Sequence, residues 1–249
     1  MRYVLRVAYD GTNYCGWQVQ PNGNTVQAEL NGALCKAFGE SVCAVASGRT
    51  DAGVHALGQV CHVDLSAHIS GSKLADALNS RLPKDISVLQ SAVAPDGFDA
   101  NRTAKKKTYR YSLYFAQRRN PLFDRYAVWV KGEPQIDKLK EAAACFTGTH
   151  DFAAYCASRS QVKTTVRTVY SFDVKEEDGL TNLYVCGNGF LYNMVRTLAG
   201  TALWYAEGKL SLEDIAATLS SGDRSGTGKT MPPNGLTLMS VDYGFDPFG

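Results

Sequence analysis

The chain has 249 residues, of which 45% are hydrophobic and 20% charged, a composition that suits one large or two modest soluble domains and excludes a disordered protein. The overall net charge of +2 is unevenly distributed, because residues 104–170 carry 13 Lys and Arg against 5 Asp and Glu, a net of +8. This basic central segment favours a polyanionic partner such as a nucleic acid, and a solvated basic face without a partner is the alternative.

The first half of the chain alternates between strand-like and helix-like segments. Apolar residues at every second position predict a strand over residues 2–9, and helical spacing predicts a helix that Thr25 caps and Gly39 ends. Further strands are predicted over 42–46, 59–65 and 86–94, and a second helix from Ser72 to Pro83. The order is β-α-β-β-α-β.

The second half predicts the same order. Its predicted strands are 108–115, 166–174, 183–186 and 236–243, and its helices are 135–146 and 190–205, the latter extended by 212–219. Two such units in series predict an α+β fold of two tandem split-βαβ, ferredoxin-like units with mixed sheets and helices on one side. We therefore expect two domains, residues 1–103 and 104–249, divided where the charge changes.

A loop with an aspartate between two glycines, Gly48-Arg49-Thr50-Asp51-Ala52-Gly53-Val54-His55-Ala56, joins two predicted strands. The glycines let the backbone turn tightly and approach a ligand, and Arg49 and His55 bring charge or hydrogen bonds beside the carboxylate. A carboxylate displayed at the edge of a cleft suits a nucleophile, which makes Asp51 the candidate catalytic residue. The alternative is a turn whose aspartate caps only its own backbone.

Three lysines precede an aromatic strand in Lys105-Lys106-Lys107-Thr108-Tyr109-Arg110-Tyr111. Lysines can bind phosphates while an exposed tyrosine stacks on a displaced base. Most aromatic residues of a strand belong to the core. Tyr109 opens the strand beside the lysines, so it is the candidate for a site role.

Arg196 lies nearly opposite the apolar stripe of the helix predicted from Phe190. Gly200 follows one turn later and leaves room for another element to pack closely. An arginine beside a small residue on a second packed face is a candidate partner for a carboxylate, and an arginine facing solvent is the alternative.

Metal, disulfide and nucleotide sites find little support in the sequence. The seven cysteines form no C-x-x-C pair and the four histidines no H-E-x-x-H pattern, which argues against a zinc site and favours a reducing compartment. Residues 226–230 resemble the end of a phosphate-binding loop, but Asp223 stands where the first glycine is needed and Pro232 follows where a helix should begin. No apolar stretch has the length of a signal peptide or membrane span, so we expect a cytoplasmic protein without membrane contact.

Taken in order, these motifs resemble the tRNA pseudouridine synthase A family over most of the chain. The loop 48–56 is the most specific match, since it is similar over nine consecutive residues. The other similar segments are Tyr9-Asp10-Gly11, Gly16-Trp17-Gln18, Thr25-Val26-Gln27, Lys107-Thr108-Tyr109-Arg110-Tyr111, Gly148-Thr149-His150-Asp151-Phe152, residues 189–196, Pro232-Pro233 and Gly235-Leu236. Gly32, Asn193 and Met231 depart from the family pattern and leave the aspartate and the tyrosine intact.

The resemblance implies an isomerase that converts uridines 38, 39 and 40 of the tRNA anticodon stem-loop to pseudouridine. It also implies a homodimer with a central RNA-binding cleft and neither a metal nor a nucleotide cofactor. Matched to the family motifs, Asp51 is the nucleophile and Tyr109 contacts the substrate and abstracts a proton. Arg196 pairs with the aspartate, and Arg49 opens or holds the flipped nucleotide. The further expected substrate-binding residues are Lys105, Lys106, Lys107, Arg110, His55 and Leu236.

Two other classes of protein fit parts of the sequence. A non-catalytic RNA-binding protein on the same fold would bind RNA without turnover, and the intact Asp51, Tyr109 and Arg196 argue against it. A small-molecule hydrolase with an aspartate nucleophile is disfavoured by the basic central segment and by the lack of a carboxylate cluster for Mg²⁺.

Overall fold

The computed structural model describes residues 1–157 and 162–249, and it divides into two compact units. Unit 1 comprises Met1–Lys107 and Thr237–Gly249, and unit 2 comprises Thr108–Leu236. The chain therefore returns to unit 1 for its last residues, whereas the division predicted from the sequence, at 103/104, assigned the whole C-terminal half to one domain. The ten strands of the described residues form both parallel and antiparallel pairs, so the fold is of the mixed α+β type.

Unit 1 is built around a central strand, β1, flanked by two antiparallel neighbours. Its elements are β1 (Arg2–Tyr9), α1 (Val26–Phe38), β2 (Val45–Ala46), β3 (His55–Asp64), α2 (Gly71–Asn79), β4 (Ile86–Val93) and the returning β10 (Leu236–Asp242). The strand order is β4-β1-β3-β10, with β2 antiparallel to β3 and β10 parallel to it. The predicted helix bounds at Thr25 and Gly39 are confirmed, since Thr25 caps α1 through its side chain and Gly39 ends it at φ 69°.

Two strand predictions of unit 1 need correction at their ends. The strand predicted over 42–46 shrinks to Val45–Ala46, because Ala44 bonds instead to helix α1, donating to Asn31 Oδ1 and accepting from Gln27 Nε2. The strand predicted from Gln59 begins already at His55, because His55 and Ala56 pair in parallel with Thr237 and Leu238 of β10. Both corrections depend on partners distant in sequence, which local patterns do not reveal.

The described residues of unit 2 form five strands and three helices. They are β5 (Lys106–Phe115), β6 (Val128–Val130), α3 (Ile136–Cys145), β7 (Gly148–Asp151), β8 (Val166–Glu177), β9 (Leu180–Gly187), α4 (Met194–Ala206) and α5 (Leu212–Ser221). The strand order is β5-β9-β8-β7, with β6 parallel to β5. The predicted strands 166–174 and 183–186 correspond to the longer β8 and β9, which pair antiparallel, and β6 and β7 were not predicted.

The predicted helix 190–205 begins later than expected and is not continued by 212–219. Asn193 has a left-handed backbone (φ 62°), which a helix interior excludes, so α4 starts at Met194. Gly208 (φ 73°) turns the chain after α4, and Ser211 starts α5 as a new helix with a capping box to Asp214. Of the described residues, none belong to a helix with the length and apolar character that crossing a membrane requires.

Candidate active site

The loop 48–56 lies between β2 and β3 and is held by backbone hydrogen bonds from the segment after β1. The N–H of Trp17 donates to Thr50 O (3.0 Å), and the N–H of Gly53 donates to Tyr14 O (3.2 Å). Within the loop, the N–H of Val54 donates to Asp51 O (3.1 Å) and closes a turn around the aspartate. The segment that contains Tyr14 and Trp17 therefore fixes the backbone on both sides of Asp51.

Two glycines in the segment after β1, Gly11 and Gly16, permit this segment to approach the loop 48–56 closely. Gly16 has φ 89°, and a Cβ there would lie 2.5 Å from Thr50 O. A Cβ on Gly11 would overlap the carbonyl of Val54. Any larger residue at either position would push the loop outward.

The loop also rests on a buried hydroxyl pair. The Tyr9 hydroxyl and Thr50 Oγ1 are 2.7 Å apart, and the two residues are 4% and 7% exposed. Burial raises the pKa of Tyr9 well above its usual value, so the phenol remains neutral. Thr50, the residue immediately before Asp51, is thereby bonded to the end of strand β1.

His55 lies beneath the far end of the loop. It is 3% exposed, its Nδ1 accepts from the N–H of Gly11 (3.0 Å), and Asp10 Oδ1 lies 3.2 Å from the same nitrogen. These contacts tie the loop to the turn at Gly11–Asn13. The substrate-binding role predicted for His55 stays a prediction.

Asp51 and Arg49 lie on the outer part of the loop. The Asp51 side chain is half-buried and Arg49 is exposed. A carboxylate on a loop whose neighbouring backbone is bonded at Thr50, Gly53 and Val54 has a fixed origin, which a nucleophile requires.

The three lysines predicted to bind substrate, Lys105 just before β5 and Lys106 and Lys107 at its start, differ in placement. Lys105 and Lys106 are exposed, and Lys106 Nζ lies 3.8 Å from Asp242 Oδ2. Lys107 is half-buried, its Nζ donates to the carbonyl of Ser47 (2.6 Å), and burial lowers its pKa to about 8. Lys105 and Lys106 are therefore accessible to a polyanion, whereas the ammonium of Lys107 is bonded within the protein.

Tyr109 and Arg110 follow on β5 in unit 2. Tyr109 is 8% exposed, and its ring meets Phe190 edge-on with centroids 5.2 Å apart. Arg110 is half-buried beside Tyr184 and the carboxylate of Glu177. Leu236, also in unit 2, is 6% exposed.

Arg196 occupies the first turn of α4, and its guanidinium is held by two hydrogen bonds. Its Nε donates to Met231 O (2.7 Å) and an Nη to Asn193 Oδ1 (2.6 Å). The expectation that Gly200 admits a packed element is confirmed, since a Cβ on it would overlap Lys229 O. Asn193 and Met231, which the sequence predicts to depart from the family pattern, therefore both accept hydrogen bonds from the arginine.

Sequence reasoning missed the residues that support the loop. They are Tyr9, Gln59 and Tyr14, whose hydroxyl donates to Asp85 Oδ1 (2.6 Å). The alternation over residues 2–9 predicts the strand that contains Tyr9, but no local signal shows that its hydroxyl meets Thr50. Across residues 1–157 and 162–249, no group of three His, Cys, Asp or Glu side chains is arranged to hold a metal ion.

Comparison with known proteins defines the class to which this chain belongs. A sequence model of the tRNA pseudouridine synthases matches residues 6–101 and 142–244, which include the loop of Asp51 and the helix of Arg196. The class therefore consists of isomerases that act on uridine in tRNA.

Relatives that match over nearly the full length of both chains show to which family within this class the chain belongs. Proteins named tRNA pseudouridine synthase A are 42% identical in Caldicellulosiruptor bescii, 46% in Citrifermentans bemidjiense and 44% in Geotalea uraniireducens. The matches cover 96%, 96% and 98% of this chain and 98%, 96% and 100% of the relatives. The chain belongs to the tRNA pseudouridine synthase A family, and it isomerises uridine to pseudouridine in tRNA.

Proposed function

We propose that the enzyme acts on uridines 38, 39 and 40 of the anticodon stem-loop, with Asp51 as the nucleophile. The observation that carries the role of Asp51 is the immobilised loop, in which Thr50, Gly53 and Val54 are all hydrogen-bonded while the carboxylate remains half-exposed. The three target positions follow from the resemblance to the family.

The reaction needs an ionised carboxylate and a base but no electron transfer. The N1–C1′ bond breaks, the uracil rotates and C5 bonds to C1′. A base then removes the C5 proton and N1 gains a proton, so that the product is an isomer of the substrate. Asp51 either attacks C1′ or removes the C2′ proton, and both routes begin from the carboxylate.

Tyr109 is our candidate for the base that takes the C5 proton. Its backbone position at the start of β5 and its edge-on contact with Phe190 fix the ring, which supports a role in holding the displaced base. A free phenol has a pKa of about 10, so the base role requires the bound substrate to favour phenolate formation.

Arg196 is proposed to favour the ionised form of the catalytic carboxylate. Its two hydrogen bonds to Met231 O and Asn193 Oδ1 fix the direction of the guanidinium, as a charge partner requires. Arg49, exposed on the catalytic loop, is proposed to open or hold the flipped nucleotide. Flipping costs roughly a few kcal/mol, which stacking and phosphate contacts can offset.

The basic segment is proposed to carry the phosphate contacts. Lys105 and Lys106 are exposed at the start of β5 and fit this role. Leu236, Arg110 and His55 remain proposed as further substrate-binding residues.

We also propose the finer architecture of two tandem split-βαβ units, a central RNA-binding cleft and a homodimer. The order β4-β1-β3 with β2 on the outer side of β3 supports the first of these units. The dimer predicts a particle of twice the chain mass of 27.0 kDa in analytical ultracentrifugation.

The positions are tested with unmodified tRNA transcripts. After incubation with the enzyme, carbodiimide treatment and reverse transcription should give stops beside positions 38, 39 and 40. Stops only outside the anticodon arm would refute the proposed positions.

A further inference from the structure

The side chains of half-buried Lys107 and buried Gln59 hold the backbone where the catalytic loop begins. Lys107 Nζ donates to Ser47 O (2.6 Å), and Gln59 Nε2 donates to Gly48 O (2.9 Å). Ser47 and Gln59 are themselves fully buried and bonded to each other, Oγ to Oε1, at 2.8 Å. We call Ser47, Gly48, Gln59 and Lys107 the loop-entry clamp.

The environment of Lys107 is unsuited to a phosphate ligand. Lys105 and Lys106 are exposed, whereas Lys107 is half-buried with its ammonium bonded to a backbone carbonyl. Burial of an ammonium is costly, and here it lowers the pKa of Lys107 to about 8. A lysine selected only for phosphate contact would lie in water, where its charge is cheap to maintain.

Gly48 makes the contact sterically possible. A Cβ on residue 48 would lie 2.8 Å from Lys107 Nζ and 3.6 Å from its Cε. The first glycine of the catalytic loop thus provides the space for the ammonium. Gly48 and Lys107, far apart in sequence, are explained by one contact.

We propose that Lys107 is a positioning residue of the pseudouridine synthase reaction, which acts through the Ser47 carbonyl to fix the backbone that leads to Asp51. This inference rests on the proposed catalytic role of Asp51. Misplacement of a reacting group by about 1 Å can cost roughly 100-fold in rate, so the clamp acts mainly on the chemical step.

The main test is Lys107→Met, which keeps the aliphatic stem and removes the donor. We expect kcat to fall roughly 10- to 100-fold, while KM, the Kd for tRNA and its salt dependence stay within about 2-fold. A phosphate ligand predicts the reverse, namely weaker binding, a flatter salt dependence and an unchanged kcat at saturating tRNA. That result would overturn the proposal. Lys73→Met, an exposed lysine on α2, is the matched control and should alter neither kcat nor KM.

A double-mutant cycle with Gly48→Ala tests the contact itself. In the wild-type background the added Cβ displaces the ammonium and should lower kcat by a factor of roughly 5 to 50. In the Lys107→Met background the same substitution should lower kcat less than 2-fold further, since the ammonium is gone. Multiplicative losses would contradict the proposed contact.

Two further measurements separate this proposal from simpler ones. Lys107→Met relieves the cost of burying a charge but also removes the donor to Ser47 O, so these opposing effects should leave the melting temperature nearly unchanged. A fall in melting temperature that accounts for the lost kcat would refute a positioning role. Asp51→Asn in the same assay tests the proposed nucleophile alone: turnover by that variant would remove the role of Asp51, whatever the Lys107 variants show.

Discussion

The catalytic loop of unit 1 and the start of α4 in unit 2 hold their charged residues in different ways. In the loop, backbone hydrogen bonds at Thr50, Gly53 and Val54 hold the chain on both sides of Asp51. Around Arg196, hydrogen bonds reach the side chain itself, through Met231 O and Asn193 Oδ1.

This difference follows from the chemistry proposed for each residue. A nucleophile must approach a substrate atom along a defined path, so the backbone from which its side chain projects must be fixed. A charge partner makes no new bond, so its guanidinium can be oriented permanently. In both regions a glycine permits the close approach, Gly16 in unit 1 and Gly200 in unit 2.

The strongest test of this comparison is Asp51→Asn. We expect loss of at least about 10⁴-fold in kcat, because an amide cannot act as a nucleophile, with unchanged tRNA affinity. The fold should be retained, since Asn has nearly the same shape as Asp and the loop backbone is bonded at Thr50, Gly53 and Val54. Single-turnover assays with binding measured in parallel check this, and the exposed Asp96→Asn is the control. Retained turnover would remove Asp51 as the nucleophile.

Arg196→Met should combine two losses. We expect kcat to fall roughly 100- to 1000-fold, the scale for removing an electrostatic contact at a reacting centre. We also expect about 1 to 3 kcal/mol lower stability, because Met231 O and Asn193 Oδ1 lose their donor. Arg196→Lys should recover only part of each, since an ammonium does not reproduce the fork of donors. Denaturation midpoints beside kinetics test both, and unchanged stability would show that the guanidinium is not held as described.

Substitution of Gly16 and of Gly200 tests whether close backbone approach is required in both regions. Gly16→Ala and Gly200→Ala each place a Cβ against a backbone carbonyl, of Thr50 and of Lys229, and each should destabilise the fold by about 3 kcal/mol. Gly16→Ala should also lower kcat in the protein that remains folded, because Thr50 adjoins Asp51, the proposed nucleophile. Gly32→Ala, in open space on α1, is the control and should stabilise by about 0.5 to 1 kcal/mol. Equal tolerance of all three would show that the approaches are not tight.

Lys107 predicts how stability depends on pH. Its pKa is lowered by burial to about 8, so between pH 8 and the ordinary lysine pKa the unfolded chain binds more protons than the native one. Stability of the wild type should therefore rise with pH in this window relative to Lys107→Met, by about 2 kcal/mol. Urea unfolding of both proteins from pH 7 to 10.5 measures the difference. A difference that stays flat would mean that the ammonium is not buried.

Much of the fold was readable from local patterns, but contacts between distant segments were not. The caps Thr25 and Gly39 signal helix α1 by residue type alone. The short strands β6 and β7 have too few residues for a period to appear, and the later start of α4 depends on the backbone of Asn193. For the candidate site, Asp51 stood out through its flanking glycines.

The supports of that site were hidden because they join residues far apart in sequence. The Tyr9–Thr50 pair spans 41 positions and the Lys107–Ser47 bond spans 60. A lysine in a basic run is ordinarily a solvated charge, so the sequence grouped Lys107 with Lys105 and Lys106. Only burial distinguishes it from them.

The smallest expected effect concerns these two exposed lysines. The double substitution of Lys105 and Lys106 by Ala should weaken tRNA binding and reduce the slope of log Kd against log salt by about 1 to 2. The slope falls because tRNA releases about one fewer counterion on binding for each phosphate contact that is lost. Stability should hardly change, since the Lys106–Asp242 pair, at 3.8 Å on the surface, contributes less than about 1 kcal/mol. Binding titrations between 50 and 200 mM salt measure the slope, with Lys73→Ala as the control. An unaltered slope would place the phosphate contacts elsewhere. If the slope falls as expected for the Lys105 and Lys106 variant, and kcat falls for the Lys107 variant only, then three consecutive lysines perform two separate tasks.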